Sequence, residues 1–200
     1  DSALRRRIAI PDRIRLRGTA GADKGAFSAA STLSTDGGEI ALQGQLDTRS
    51  EAYEIELRCD SFPLNRFLPA DSLGLLDLAL QAGGSGFDPL RAQTRGNIRL
   101  QVDRAEFRGR DFGGVELNAN LEGGQLSGRL SDRDEALRLL LLVSGTLTER
   151  KQEVRLTGNV FDFDLAELGI SPQKIGGSFA LEAGASASDA GSYTARIALD

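Results

Sequence analysis

Glu39-Ile40-Ala41-Leu42-Gln43-Gly44-Gln45-Leu46 is the stretch on which the fold turns. Ile40, Leu42, Gly44 and Leu46 recur at every second residue, and Glu39, Ala41, Gln43 and Gln45 fill the gaps between them. A helix would scatter those apolar positions around its circumference. A strand sends alternate side chains to opposite faces, so this segment gains one dry row and one wet row.

The same alternation extends in both directions. Upstream, Ile14, Leu16, Gly18 and Ala20 interleave with Arg13, Arg15, Arg17 and Thr19, and a weaker candidate runs from Phe27 to Leu33. Downstream come Tyr53, Ile55, Leu57 and Cys59, then Leu76, Leu78 and Leu80, then Ile98, Leu100 and Val102, then Val115, Leu117 and Leu121. The pattern persists through Leu126 and Leu130, through Leu137, Leu139, Leu141, Val143 and Leu147, and through Val154, Leu156 and Val160. Phe179 and Leu181, and lastly Tyr193, Ile197 and Leu199, complete it. By the period-two criterion these are about twelve strands. One phase slip, where Val102 is followed by Ala105 and Phe107, predicts a bulge at Asp103-Arg104.

Asp36-Gly37-Gly38, Gly113-Gly114 and Glu122-Gly123-Gly124 join neighbouring strands with residues that tolerate positive φ. Connections this short imply antiparallel neighbours, so the expected fold is all-β, a long antiparallel meander. Two segments break the pattern and predict short helical turns, near 62–68 (Phe62, Leu64, Phe67, Leu68) and near 164–169, with Asp164 as the N-cap of the second. They also mark an internal repeat of about 101 residues, in which 53–83 resembles 154–184: Tyr53, Ile55 and Cys59 correspond to Val154, Leu156 and Val160, and Phe62 and Phe67 to Phe163 and Leu168. The last segment stops in mid-strand, so residues 1–200 are expected to be one elongated segment of a larger protein.

Composition removes most enzymes before any motif is sought. The chain has no His, Met or Trp, and a single Cys. Without His it lacks the commonest general base and the commonest metal ligand, and one Cys excludes an internal disulfide or a CxxC pair. A net charge of -5 argues against a nucleic-acid partner. No acid, base and nucleophile can be assembled into a site, so the chain is not expected to be an enzyme and no cofactor is expected.

About twelve strands with one apolar face need a cover, and no amphipathic helix is long enough to supply it. A sandwich, a sheet curled on itself, or burial in a bilayer as a barrel remain. The barrel requires aromatic girdles, which a chain with two Tyr and no Trp does not furnish. Gly18, Gly44, Gly96, Gly128, Gly145 and Gly158 all fall in dry rows inside strands, which suits a sheet folded along a crease where inner space is scarce. The alternative is a closed β-sandwich, a binding or adhesin-type module, in which each glycine fills a tapered corner. A curled sheet would be a trough roughly 55 Å long and about 26 Å wide.

The sharper local signals have plain readings. Arg5, Arg6 and Arg7 read as a solvated end, and Asp132, Asp134 and Glu135 as a turn lacking the Gly and distal Glu of a calcium loop. Residues 83–88 (GGSGFD) lack the spacing and Lys of a phosphate loop, and Cys59 reads as a buried, inert thiol. Leu140 and Leu142 stand out because they make residues 139–143 apolar on both faces; a cover over the outer face there is the favoured expectation, an assembly contact the other.

Apolar-x-Gly-x-apolar recurs at Leu42-Gln43-Gly44-Gln45-Leu46, Val143-Ser144-Gly145-Thr146-Leu147 and Leu156-Thr157-Gly158-Asn159-Val160, beside the stretches SFPLNRFLP (61–69) and VFDFDLAELGI (160–170). Together with residues 83–100 and 105–130 these resemble the TamB family of translocation and assembly module subunits, and more loosely the AsmA-like superfamily of bridge-shaped lipid transport proteins, from about Pro11 to Asp200. The resemblance implies a taco-shaped hydrophobic groove in the periplasm of a two-membrane bacterium, the full-length protein being anchored in the inner membrane. It implies carriage of phospholipid between the membranes, support of outer-membrane biogenesis and protein assembly, and contact with an Omp85-type outer-membrane barrel through parts outside this chain. The groove lining would then be the apolar rows named above, with the six dry-row glycines at the crease.

Overall fold

The computed structural model describes residues 13–67, 73–188 and 193–199. Each alternating segment forms a strand: β1 (Ile14–Asp23), β2 (Ala26–Thr35), β3 (Glu39–Asp47), β4 (Ala52–Pro63), β5 (Leu73–Ser85), β6 (Arg95–Phe107), a short β7 (Arg110–Phe112), β8 (Val115–Glu122), β9 (Gln125–Arg133), β10 (Leu137–Leu147), β11 (Lys151–Asp164), β12 (Gly176–Ser188) and β13 (Tyr193–Leu199). They make one open antiparallel sheet in chain order, with β7 alone off the path as a hairpin partner of β6. The substantial contacts between elements run between sheet neighbours, the exception being β5 with the 3-10 turn at Leu64–Arg66. A second layer facing the sheet, which a sandwich requires, is absent among the described residues.

The register carries the dry rows of one strand onto those of the next. Leu42 lies opposite Leu57, Leu57 opposite Leu80, Leu80 opposite Leu100, Leu100 opposite Leu117, Leu117 opposite Leu130, and Leu130 opposite Leu141. A slip of one residue would turn any of these strands inside out, so the hydrophobic pattern itself specifies the pairing. Turns supply the reversals. Asp47 Oδ1 accepts the N–H groups of Arg49 (2.8 Å) and Ser50 (3.2 Å), which hold its carboxyl below the usual carboxylate range. At the β8–β9 turn Gly123 and Gly124 take φ of +58° and +73°, a conformation that strains residues with a Cβ.

Bulges bend the strands near one end. Asp77 pairs with Arg104 and Leu78 with Val102, so Asp103 is the extra residue at the site of the sequence's phase slip. The β4–β5 register shifts between Cys59 and Phe62, where Ser61 adopts φ +47° and its N–H donates to Asp77 Oδ1. The β11–β12 register shifts between Val160 and Phe163, each position lying 101 residues beyond its counterpart in β4. Asp77→Ala removes the acceptor that holds Ser61, and is expected to cost about 1–2 kcal/mol by urea titration. A loss below a few tenths would show that the bulge stands without it.

Of the two expected helical turns, residues 64–66 form a 3-10 turn, with Phe62 and Phe67 stacked 4.9 Å apart beside it. Residues 165–169 close as hydrogen-bonded turns: Leu168 N–H bonds Asp164 O at 2.9 Å, and Asp164 Oδ1 accepts the N–H groups of Ala166 and Glu167. Leu68, and the Arg5-Arg6-Arg7 run, lie outside the described residues. No helix among the described residues is long and apolar enough to cross a membrane.

Candidate functional site: the apolar face of the sheet

The two faces of the sheet divide sharply. Ile55, Ile98 and Leu156 continue one row beside the leucine row, and Leu33, Ile40, Leu78, Val102, Val115, Leu139, Val160 and Phe179 another. Phe27, Leu46, Tyr53, Leu121, Leu126 and Val154 form the row nearest the β1–β2 turn. Ile14, Leu16, Leu76, Leu137, Val143, Leu147 and Leu181 occupy the same face. The backbones of Tyr193, Ile197 and Leu199 pair with those of Ala187, Ala183 and Leu181; their side chains are outside the described set. Every described lining residue that the sequence singled out is thus brought to one face.

That face is not sealed. Among the described residues the buried apolar side chains are Cys59, Phe62, Ala136 and Val160 alone, clustered toward the bulged end. Phe27 is 48% exposed, Ile55 42%, Ile98 44% and Leu16 71%. The chain's accessible surface is 13511 Å², against about 9,100 Å² for a compact globular chain of its 21.3 kDa. Large apolar side chains left exposed together on one face mark a surface for a ligand or a partner.

Between β1 and β4 the face deepens into an open cavity of ≈ 760 Å³. Ala22, Phe27, Leu46, Tyr53 and Ile55 line it, and Phe87 reaches over its end from the β5–β6 turn. The Tyr53 and Phe87 rings stack at 6.3 Å. Gly84 and Gly96 make room for that arrangement, since a Cβ at either would stand 2.8 Å or 3.2 Å from the Tyr53 hydroxyl oxygen. Sequence reasoning took residues 83–88 as a turn, which they are: Gly86 has φ +83°, and Asp88 Oδ1 accepts Leu90 N–H at 3.0 Å. It missed Phe87; the available signal was an aromatic side chain, 58% exposed, inside a glycine-rich reversal.

The six dry-row glycines lie on the apolar face, but on three neighbouring rows and not on one line. Gly18 and Gly158 belong to the leucine row, Gly44 and Gly128 to the Ile55 row, and Gly96 and Gly145 to the Leu121 row. Their need for being glycine also differs. A Cβ at Gly158 would collide with Leu140 O and Leu141 Cα, and one at Gly145 with Glu153 O, whereas at Gly44 the nearest atom is 3.5 Å away.

One carboxylate interrupts the face. Asp132 sits in β9 opposite Leu139; burial raises its pKa against the opposing hydrogen bond that its Oδ1 accepts from Asp134 N–H at 2.9 Å. Asp134 Oδ1 in turn accepts Ala136 N–H at 2.8 Å, so these acids serve the turn. A carboxyl whose pKa rises on folding loses stability as pH climbs through the folded value and regains it on protonation. Asp132→Asn is therefore expected to raise the melting midpoint at pH 7, with the gain vanishing below pH 4. An equal gain at both pH values would show a cause other than charge.

Cys59 is buried, 6% exposed, and burial together with the Asp77 charge pushes its thiol up. Alkylation at pH 8 is expected to run about 100-fold slower than in denaturant, because a buried, protonated thiol is a poor nucleophile. Equal rates would place Cys59 at an accessible position.

Leu142, by contrast, is 47% exposed on the polar face, opposite Arg129 and Thr157. The expected cover over residues 139–143 is absent among the described residues, because no element packs on that side of β10. No protein-family model, curated protein or solved structure matches this chain.

Proposed function

We propose that the apolar face is a conduit for the acyl chains of phospholipid, in an envelope protein that carries lipid across the periplasm between inner and outer membranes. The observation that supports this is the register that carries apolar rows across the sheet from β1 to β12, broken by Asp132, on a face with no opposing layer among the described residues. Each methylene laid on such a wall gains about 0.8 kcal/mol relative to water. Aliphatic walls offer similar contacts at every step, so a chain slides without a deep local minimum, while head groups stay at the open rim in water. Support of outer-membrane biogenesis and protein assembly, and docking to an Omp85-type barrel by other parts of a full-length protein, belong to the same proposal.

Non-denaturing mass spectrometry of the purified chain tests it. The expected spectrum shows phospholipid adducts that an apolar fluorescent dye displaces. A lipid-free spectrum, with no dye binding after incubation with phospholipid vesicles, would overturn the proposal.

A further inference from the structure

The polar face carries a second surface with a different chemistry. Its centre is Leu142, 47% exposed, with Leu140 two residues away on the same face between Ser131 and Asn159. Across the neighbouring strands lie Arg99, Asn118 and Arg129 on the row of Leu142, and Arg155 opposite Ser144 on the next. Beside Leu142 an open depression of ≈ 440 Å³ is lined by Arg99, Arg129, Asn97, Asn118, Asn120 and Ser127, with no carboxylate in its wall.

Three of the bordering acids are paired with other cations. Glu116 pairs with Arg133 at 3.9 Å, Glu122 with Arg95 at 3.5 Å and Glu153 with Lys151 at 2.7 Å, while Glu182 faces Thr157 at the far border. Arg99 donates from Nε to Asn118 Oδ1 at 3.1 Å, and no carboxylate among the described residues forms an ion pair with Arg99 or Arg129. A chain of net charge -5 thus presents, beside an apolar side chain, an arginine-bearing depression with no carboxylate in its wall.

We propose that this depression is a docking site for an acidic protein segment that seats an apolar side chain on Leu142 and sets carboxylates against Arg99 and Arg129. Arginine is enriched in interaction hot spots, and its bidentate guanidinium–carboxylate pairing fixes orientation. An anionic polysaccharide would satisfy the arginines and leave Leu142 against hydroxyl groups, so the leucine favours a protein. The site is independent of the lipid face, since its side chains point to the opposite side of the sheet.

Panning a random dodecapeptide phage library on the immobilised chain tests the proposal. Enriched peptides are expected to carry at least two Asp or Glu around one large apolar residue. Binding should fall at least 10-fold in Arg129→Glu and in Leu142→Asp, and stay unchanged in Gln43→Glu, a polar-face control on β3. If Leu142→Asp melts early, Leu142→Thr and Arg99→Glu replace it. No enrichment, enriched peptides without carboxylates, or peptides held equally by the variants would overturn the proposal. So would retention of alginate that Arg129→Glu abolishes and Leu142→Asp leaves intact.

Discussion

Leu117→Arg is expected to abolish phospholipid photo-crosslinking on one side of the substitution while the chain stays folded. Leu117 lies in the middle of the leucine row, between Leu100 and Leu130, and is half-buried. A guanidinium there must remain hydrated, and an acyl chain passing it must either displace that water or leave the wall, at a cost of several kcal/mol. With photo-reactive residues at Leu57 and Leu156, crosslinking at both positions after loading from one end should collapse to crosslinking at the loaded end only. Leu100→Asp should act alike, and Leu117→Ile should leave transfer intact. Because the face is open, the arginine side chain can reach water, so the urea midpoint should move little. Crosslinks that persist at both positions in Leu117→Arg would show that lipid does not travel along this row.

Gly158→Val is expected to destabilise the sheet by about 3 kcal/mol, the upper range for overpacking at a close backbone approach. The new side chain meets Leu140 O and Leu141 Cα, atoms of a neighbouring strand that cannot swing away. Gly44→Ala, two residues from Leu42 on the same face, should cost less than about 1 kcal/mol and could gain from lower unfolded-state entropy. Denaturant titration of the pair separates strain from propensity. Equal losses at the two positions would mean that glycine serves the strands in general and not a local approach.

The pattern of residues 39–46 was legible because a strand's period is two and one face is dry; the shared face follows from that regularity, the bulge at Asp103 from a slip in it, and the meander from the short glycine-bearing connections. Openness was less legible. Leu57 facing Leu80 reads the same in a sandwich core as on a bare wall, since alternation reports which side chains share a face and not what lies above them. Sequence gives each glycine's phase within its strand but not its offset along the neighbouring strand. The offset places Gly44 and Gly145 on different rows. Leu142 was visible as an anomaly, but only the sheet shows which arginines surround it, because Arg99, Arg129 and Arg155 are distant along the chain and adjacent across it.

Strands that pair almost wholly with near neighbours in the chain make the described residues a ladder of local hairpins, with the Arg110–Glu167 ion pair as a longer-range tie. Mean contact separation is correspondingly low, which favours rapid, stepwise assembly over a slow search for distant partners. Tension applied at the first and last strands should therefore peel the sheet in successive hairpin-sized increments, giving a sawtooth force trace where a closed core would give one cooperative rupture.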